Sequence, residues 1–145
     1  YRRQRQMCIR DSNNMVTDTV YYDSFPCKIC PPGWKIPYEE DWINLINYLG
    51  NANVAGGKMK EAGLEHWNSP NAGATNESGF SGFPGGFRNM SGNYVYVGSD
   101  GYFRSLSEYS SSQAWYHSLH YGNSVVYQDF NMSKQSGLSV RCVGD

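Results

Sequence analysis

No apolar run in this chain is long enough to cross a bilayer, and no basic stretch leads into a hydrophobic one as in a secretory leader. The first absence excludes a transmembrane segment within these residues. The second leaves export open, because the chain starts at Tyr1 rather than at a Met and a leader would lie upstream. Charge is scarce as well: 17% of residues are charged, 12 basic against 13 acidic, for a net −1, and neither sign occurs in blocks. A chain without a one-signed field has no means of gathering nucleic acid or an anionic membrane, so both partners are excluded.

Catalytic patterns are missing too. Gly56-Gly57-Lys58 is followed by Met59 where a phosphate loop needs Ser or Thr for magnesium, so it reads as a plain turn. Gly79 to Gly86 opens no predicted helix that could receive a phosphate and reads as a packed turn. Ser110 to Ser112 fall in no nucleophile-elbow pattern. Glu77, Asp100, Glu108 and Asp129 have no spacing that pairs two carboxylates for glycoside chemistry, and read as solvated acids. No catalytic residue, cofactor or metal is assigned.

What is present is glycine, tyrosine and short alternating segments. Sixteen Gly, 12 Tyr and 15% aromatics in 145 residues describe one α+β domain rich in turns. Residues 1–12 are set aside: Met7-Cys8-Ile9-Arg10-Asp11-Ser12 resembles the translation of a transposon end used to prepare sequencing libraries. Residues 13–22 read as a lead-in or edge strand, and 23–145 as the domain.

Cys27 and Cys30 have the C-x-x-C spacing of redox and zinc sites. Pro31-Pro32-Gly33 follows at once and forbids the helix that a thioredoxin-type thiolate needs. His66, His117 and His120 supply no second close pair for zinc; His117 and His120, three apart in a strand, point to opposite faces. The reading is a disulfide between Cys30 and Cys142, joining the start of the domain to its end and implying an oxidising compartment. Cys27 is left over, free or paired further upstream.

Trp42, Leu45, Ile46 and Leu49 recur at helical spacing, with Glu39, Glu40 and Asp41 in the first turn and Gly50 as the stop. Residues 51–92 read as loop, with Trp67, Phe80, Phe83 and Phe87 as apolar pegs. Tyr94 to Val97 and Tyr102-Phe103 flank a turn at 98–101, predicting one hairpin; Ala114 to Tyr121 and Val125 to Phe130 predict a second. A last strand carries Leu138, Val140 and Cys142 on one face. The predicted core is Trp34, Trp42, Leu45, Ile46, Leu49, Trp115, Leu119, Leu138 and Val140.

Cys30-Pro31-Pro32-Gly33-Trp34-Lys35-Ile36-Pro37 followed by Trp42 resembles the C-P-x-G-W-x-[LI]-P…W signature of the Fibrobacter succinogenes major paralogous domain. Ala55 to Lys60, Thr75 to Phe80, Pro84 to Arg88, Ser107-Glu108-Tyr109 and Ser139 to Val143 resemble later blocks in the same order, from about Tyr21 onward. The resemblance implies a fold similar to C-type-lectin-like and formylglycine-generating-enzyme domains, in an exported, often lipid-anchored bacterial protein of Bacteroidota or Fibrobacteres. Tyr38 stands where the family carries a helix-capping Ser or Thr, which should weaken that cap by about 1 kcal/mol. The calcium-binding motifs of lectins and the copper-binding cysteines of the formylglycine enzymes are absent, so neither activity is implied.

Alternation in the 114–121 strand puts Tyr116, Ser118 and His120 on one face and Trp115, His117, Leu119 and Tyr121 on the other. The first set is expected outward, joined by Asp129, Asn131 and Lys134, as a polar-aromatic surface suited to adaptable contacts. The expectation is therefore a non-enzymatic recognition or adhesion domain, monomeric within a longer extracellular or outer-membrane chain, binding a surface protein or glycan. An accessory domain of a carbohydrate-active or cell-wall enzyme, or a structural spacer, is the alternative.

Overall fold

The computed structural model describes residues 29–144. The readings of residues 1–12 and 13–22 and of Cys27 lie outside the described residues.

At one pole the two ends of the described chain meet. Strand β1 (Trp34–Lys35) pairs antiparallel with β7 (Val143–Gly144), and beside them Cys30 and Cys142 form the expected disulfide, Cα atoms 5.7 Å apart across a sequence separation of 112. Closing so long a loop contributes on the order of 4 kcal/mol in the chain-entropy account. Trp34 does not join the core as expected: it is 53% exposed. The pleat sends neighbours to opposite faces, and Lys35, not Trp34, is the half-buried member of this two-residue strand.

Helix α1 (Glu39–Tyr48) follows the apolar spacing closely: Trp42, Ile46 and Leu49 are buried and Leu45 packs against them half-buried. Tyr38 gives its N terminus no side-chain cap. Two other groups take up the orphan donors there. Asp41 Oδ2 accepts the Tyr38 N–H at 2.9 Å, and Ser107 Oγ, from the sheet, accepts the Glu39 N–H at 2.9 Å.

The loop expected at Asn51 to Gly57 is instead the start of helix α2 (Ala52–Met59), capped by Asn51 Oδ1, which accepts the Asn53 N–H. Gly56 and Gly57, read as a turn, lie inside this helix because the chain passes too close for side chains. A Cβ on Gly56 would stand 2.6 Å from Val125 O, and one on Gly57 2.3 Å from Gly73 O. Glycine's usual penalty in a helix is accepted here for contact.

The main sheet is β4 (Asp100–Glu108), β5 (Ala114–His120) and β6 (Val126–Asp129), antiparallel in that order. The second predicted hairpin is thus present as β5–β6. The first is not: β3 (Tyr94–Val95) pairs back with β2 (Phe87–Arg88), while β4 pairs forward with β5. The chain turns between them at Tyr96, whose carbonyl accepts the N–H groups of Ser99 and Asp100. Leu138 is buried and Val140 half-buried, but no regular strand runs through them. Instead Ser139 bridges the edge of β4, donating to Tyr102 O and accepting from the Arg104 N–H, and Gly137 pairs with Arg88.

The core lies between the helices and one face of this sheet. It gathers Trp42, Ile46 and Leu49, Ala55 and Met59 from α2, Trp67, and Phe103, Leu119 and Val126 from the sheet, with Phe80 and Tyr121 against it. Trp115 is only half-buried and belongs to a separate cluster, edge-on to Tyr109 and Phe130 at 5.7 and 5.0 Å.

Candidate functional site

Strand register lays out the outer face of the sheet as a grid. Asp100 stands opposite His120; Tyr102 opposite Ser118, which faces Tyr127; Arg104 opposite Tyr116, which faces Asp129. Alternation puts all of these on the side away from Phe103, Leu119 and Val126. Tyr127 is exposed, and Tyr102, Ser118, His120 and Asp129 are half-buried.

Tyr116 departs from the outward expectation. It is 7% exposed, because the segment after β6 folds across this part of the face. Asn131 Oδ1 accepts the Tyr116 hydroxyl at 2.8 Å, and Ser136 O accepts from Arg104 Nη2 at 2.7 Å. Asn131 in turn donates through Nδ2 to Asp129 Oδ2 at 3.2 Å. Tyr116, Asn131 and Asp129 therefore form one connected cluster. Burial first, then the Asp129 carboxylate, pushes the Tyr116 phenol up to about 12. Burial, then the charge of Asp100, raises the Tyr102 phenol as well. Both hydroxyls stay protonated at neutral pH and can donate.

The other expected residues divide. His120 Nδ1 accepts the Gly122 N–H at 3.0 Å at the end of β5, and Ser118 lies mid-grid. Lys134 is elsewhere, paired with Glu108 at 2.6 Å and donating to Ser111 O, beside the β4–β5 loop.

Four rings that the sequence reading did not place at this surface complete it. Tyr116 lies 5.9 Å from Tyr102; Tyr102 meets Phe87 edge-on at 5.0 Å and Tyr96 at 6.4 Å; Phe87 lies 6.0 Å from Tyr96. Tyr127 is the fourth of these additions, across Ser118 from Tyr102. Alternation from Phe103 could have placed Tyr102 outward. Nothing local could have placed Tyr96, whose φ of +60° is a left-handed conformation that costs a bulky residue on the order of 1 kcal/mol.

Two polar centres lie beneath. Glu39 Oε1 accepts from His117 Nε2 at 2.8 Å and from Gln128 Nε2 at 2.6 Å, and the His117 ring stacks on Trp42 at 4.8 Å. Glu39 thus anchors α1 to the inner face, a role beyond the helix dipole. Lys60, fully buried, donates from Nζ to the carbonyls of Ala72, His120 and Asn123 at 2.9, 3.0 and 2.8 Å, and lies 5.5 Å from the Trp67 ring centre. Burial pulls its pKa down from 10.5 to about 8, which leaves it largely charged at neutral pH, with one N–H of the ammonium for each of the three carbonyls. It ties the end of α2 to the β5–β6 turn. Neither centre opens onto the outer face.

Among the described residues, Glu61, Glu65 and His66 each bring one ligand atom within 4.8 Å of the others. The His66 Nδ1 to Glu61 Oε2 hydrogen bond at 2.8 Å accounts for the closest pair without an ion. Of the acids read as solvated, Glu77 lies 3.7 Å from Lys58 and Asp100 accepts from Ser99 Oγ.

The sequence matches one family model, described as the Fibrobacter succinogenes major domain, over residues 3–144. The chain belongs to that family. No curated protein and no solved structure matches it. The observed fold of this Fibrobacter succinogenes major domain is α+β, with two helices and antiparallel sheets.

Proposed function

We propose that this domain is a non-enzymatic recognition module of an exported bacterial protein, and that its ligand, a glycan or a protein surface, seats on the outer face of β4–β5–β6. The observation that carries this reading is the joined cluster of Tyr116, Asn131 and Asp129 continuing into half-exposed Tyr102 and exposed Tyr127. Aromatic faces and adaptable hydrogen-bonding groups in one patch are what ligand surfaces are built from. The Cys30–Cys142 disulfide supports an address outside the reducing cytosol, and no helix among the described residues is long and apolar enough to cross a membrane.

The test is a binding screen of the purified domain against immobilised glycans and surface-protein extracts, repeated with Tyr127→Ala and Asp129→Asn. Binding that both substitutions weaken supports the proposal. Turnover of a glycan or cell-wall substrate that disappears with Glu108→Gln or Asp129→Asn would replace it with an enzymatic function.

A further inference from the structure

Tyr96 combines two properties that folding alone does not reward. Its backbone is left-handed, and its ring is 58% exposed. A chain selected only for stability would place glycine there. The conformation is nonetheless held from several sides. The Tyr96 carbonyl accepts from the N–H groups of Ser99 and Asp100 at 3.1 and 3.0 Å. Gly86 leaves the space below: a Cβ there would stand 2.0 Å from Val95 O. The effect is to lay the Tyr96 ring beside Phe87 and Tyr102, so that the ring row continues outward from buried Tyr116 into solvent.

Polar groups line this row at both ends. Ser99 and Asp100 lie near Tyr96 and Tyr102, and Asn131 and Asp129 lie beyond Tyr116. The grid carries two carboxylates, Asp100 and Asp129, against one guanidinium, that of Arg104, whose Nη2 donates to Ser136 O. Carboxylates at both ends repel an anionic ligand, whereas they accept hydrogen bonds from hydroxyl groups. The C–H faces of a pyranose fit against aromatic faces, and its hydroxyls fit carboxylates and carboxamides.

We infer that Tyr96, with Tyr102 and Tyr127, forms a stacking platform for an uncharged oligosaccharide, and that the left-handed backbone at Tyr96 is retained to present that ring. This rests on the recognition reading above and narrows its ligand to neutral glycans.

The experiment titrates the domain by calorimetry with gluco-, xylo- and mannohexaose in both α- and β-linked forms where they exist, and with oligogalacturonate as the anionic counterpart. It compares wild type with Tyr96→Phe and Tyr96→Gly and records thermal unfolding of each. At least one neutral hexaose should bind, and oligogalacturonate at least about tenfold more weakly. Tyr96→Phe should retain affinity. Tyr96→Gly should lose about tenfold or more while its melting temperature stays the same or rises, because glycine relieves the left-handed strain. A Tyr96→Gly variant that binds like wild type, or that melts markedly earlier, overturns the inference. Binding only of a protein or an anionic glycan, still sensitive to Tyr127→Ala, overturns it while leaving the recognition function standing; no binding by any probe or extract removes both.

Discussion

The two faces of the β4–β5–β6 sheet share strands and register yet are built for different ends. On the inner face Phe103, Ser105, His117, Leu119 and Val126 are buried under the helices; Glu39 Oε1 accepts from His117 Nε2 there, while Glu39 Oε2, His117 Nδ1 and Trp42 Nε1 are buried without a hydrogen-bond partner among the described residues. On the outer face the same strands show Tyr102, Ser118, Tyr127 and Asp129 at intermediate to high exposure, with both helices on the other side. Period-two alternation makes this division possible, with Tyr116 the exception, an outer-face residue buried under the segment after β6. On the proposed reading, the difference means that stability and ligand contact in this domain should be separately alterable.

Substitutions can break that separation or sharpen it. The largest effect is expected at the inner face, where Trp42→Ala should cost about 4 kcal/mol by removing a ring packed on Phe80, Phe103 and His117, measured by urea unfolding. A cost below about 1 kcal/mol would show that the inner face is not the folding core.

Next comes the buried amine. Lys60→Met fills the space but leaves the carbonyls of Ala72, His120 and Asn123 without their donor, so about 2–3 kcal/mol of stability should be lost at pH 7.

The same residue gives a smaller, pH-dependent effect. Its folded pKa of about 8 lies below the unfolded 10.5, so between those values the unfolded chain binds more protons and stability rises with pH, by up to about 2 kcal/mol from pH 8 to 10. Tyr102 and Tyr116 act in the opposite sense. Their phenols are raised in the fold above the ordinary 10, so the stability they contribute is complete below pH 10 and is lost as pH climbs through the folded values, about 12 for Tyr116. Unfolding free energy should therefore peak near pH 10, and Lys60→Met should abolish the rise while leaving the alkaline fall.

The smallest effect on stability belongs to the outer face. Tyr127→Ala should change unfolding free energy by less than about 0.5 kcal/mol, since the side chain is exposed and its hydroxyl only accepts from Asn123 Nδ2. A larger loss would mean that the outer face is part of the scaffold.

How much of this was readable in the sequence depends on how far the deciding contacts lie. Helix α1 and the β5–β6 hairpin were legible, because spacing within ten or fifteen residues determines them. The disulfide was legible as the pairing left after the other roles of Cys30 were excluded. Helix α2 was not, because Gly56-Gly57 looks like a turn until Val125 and Gly73 are seen pressed against it. Within the site, alternation placed Tyr116 with Ser118 and His120, and Asp129 and Asn131 were added from the adjoining strand and loop; none of this could show the 130–136 segment covering Tyr116. Lys134 was grouped by proximity in sequence, and its pairing with Glu108 took it away. Tyr96 and Lys60 were missed because their positions rest on backbone and carbonyl contacts that no local pattern encodes.

The most direct test of the divided sheet is two-dimensional NMR of the labelled domain during titration with whichever ligand the screen returns. Perturbed amides should concentrate at Tyr96, Tyr102, Ser118, Tyr127 and Asp129, with Phe103, His117 and Leu119 affected less. Perturbations centred instead on the β1–β7 pole or on the Glu61–His66 loop, with the outer face silent, would contradict the account.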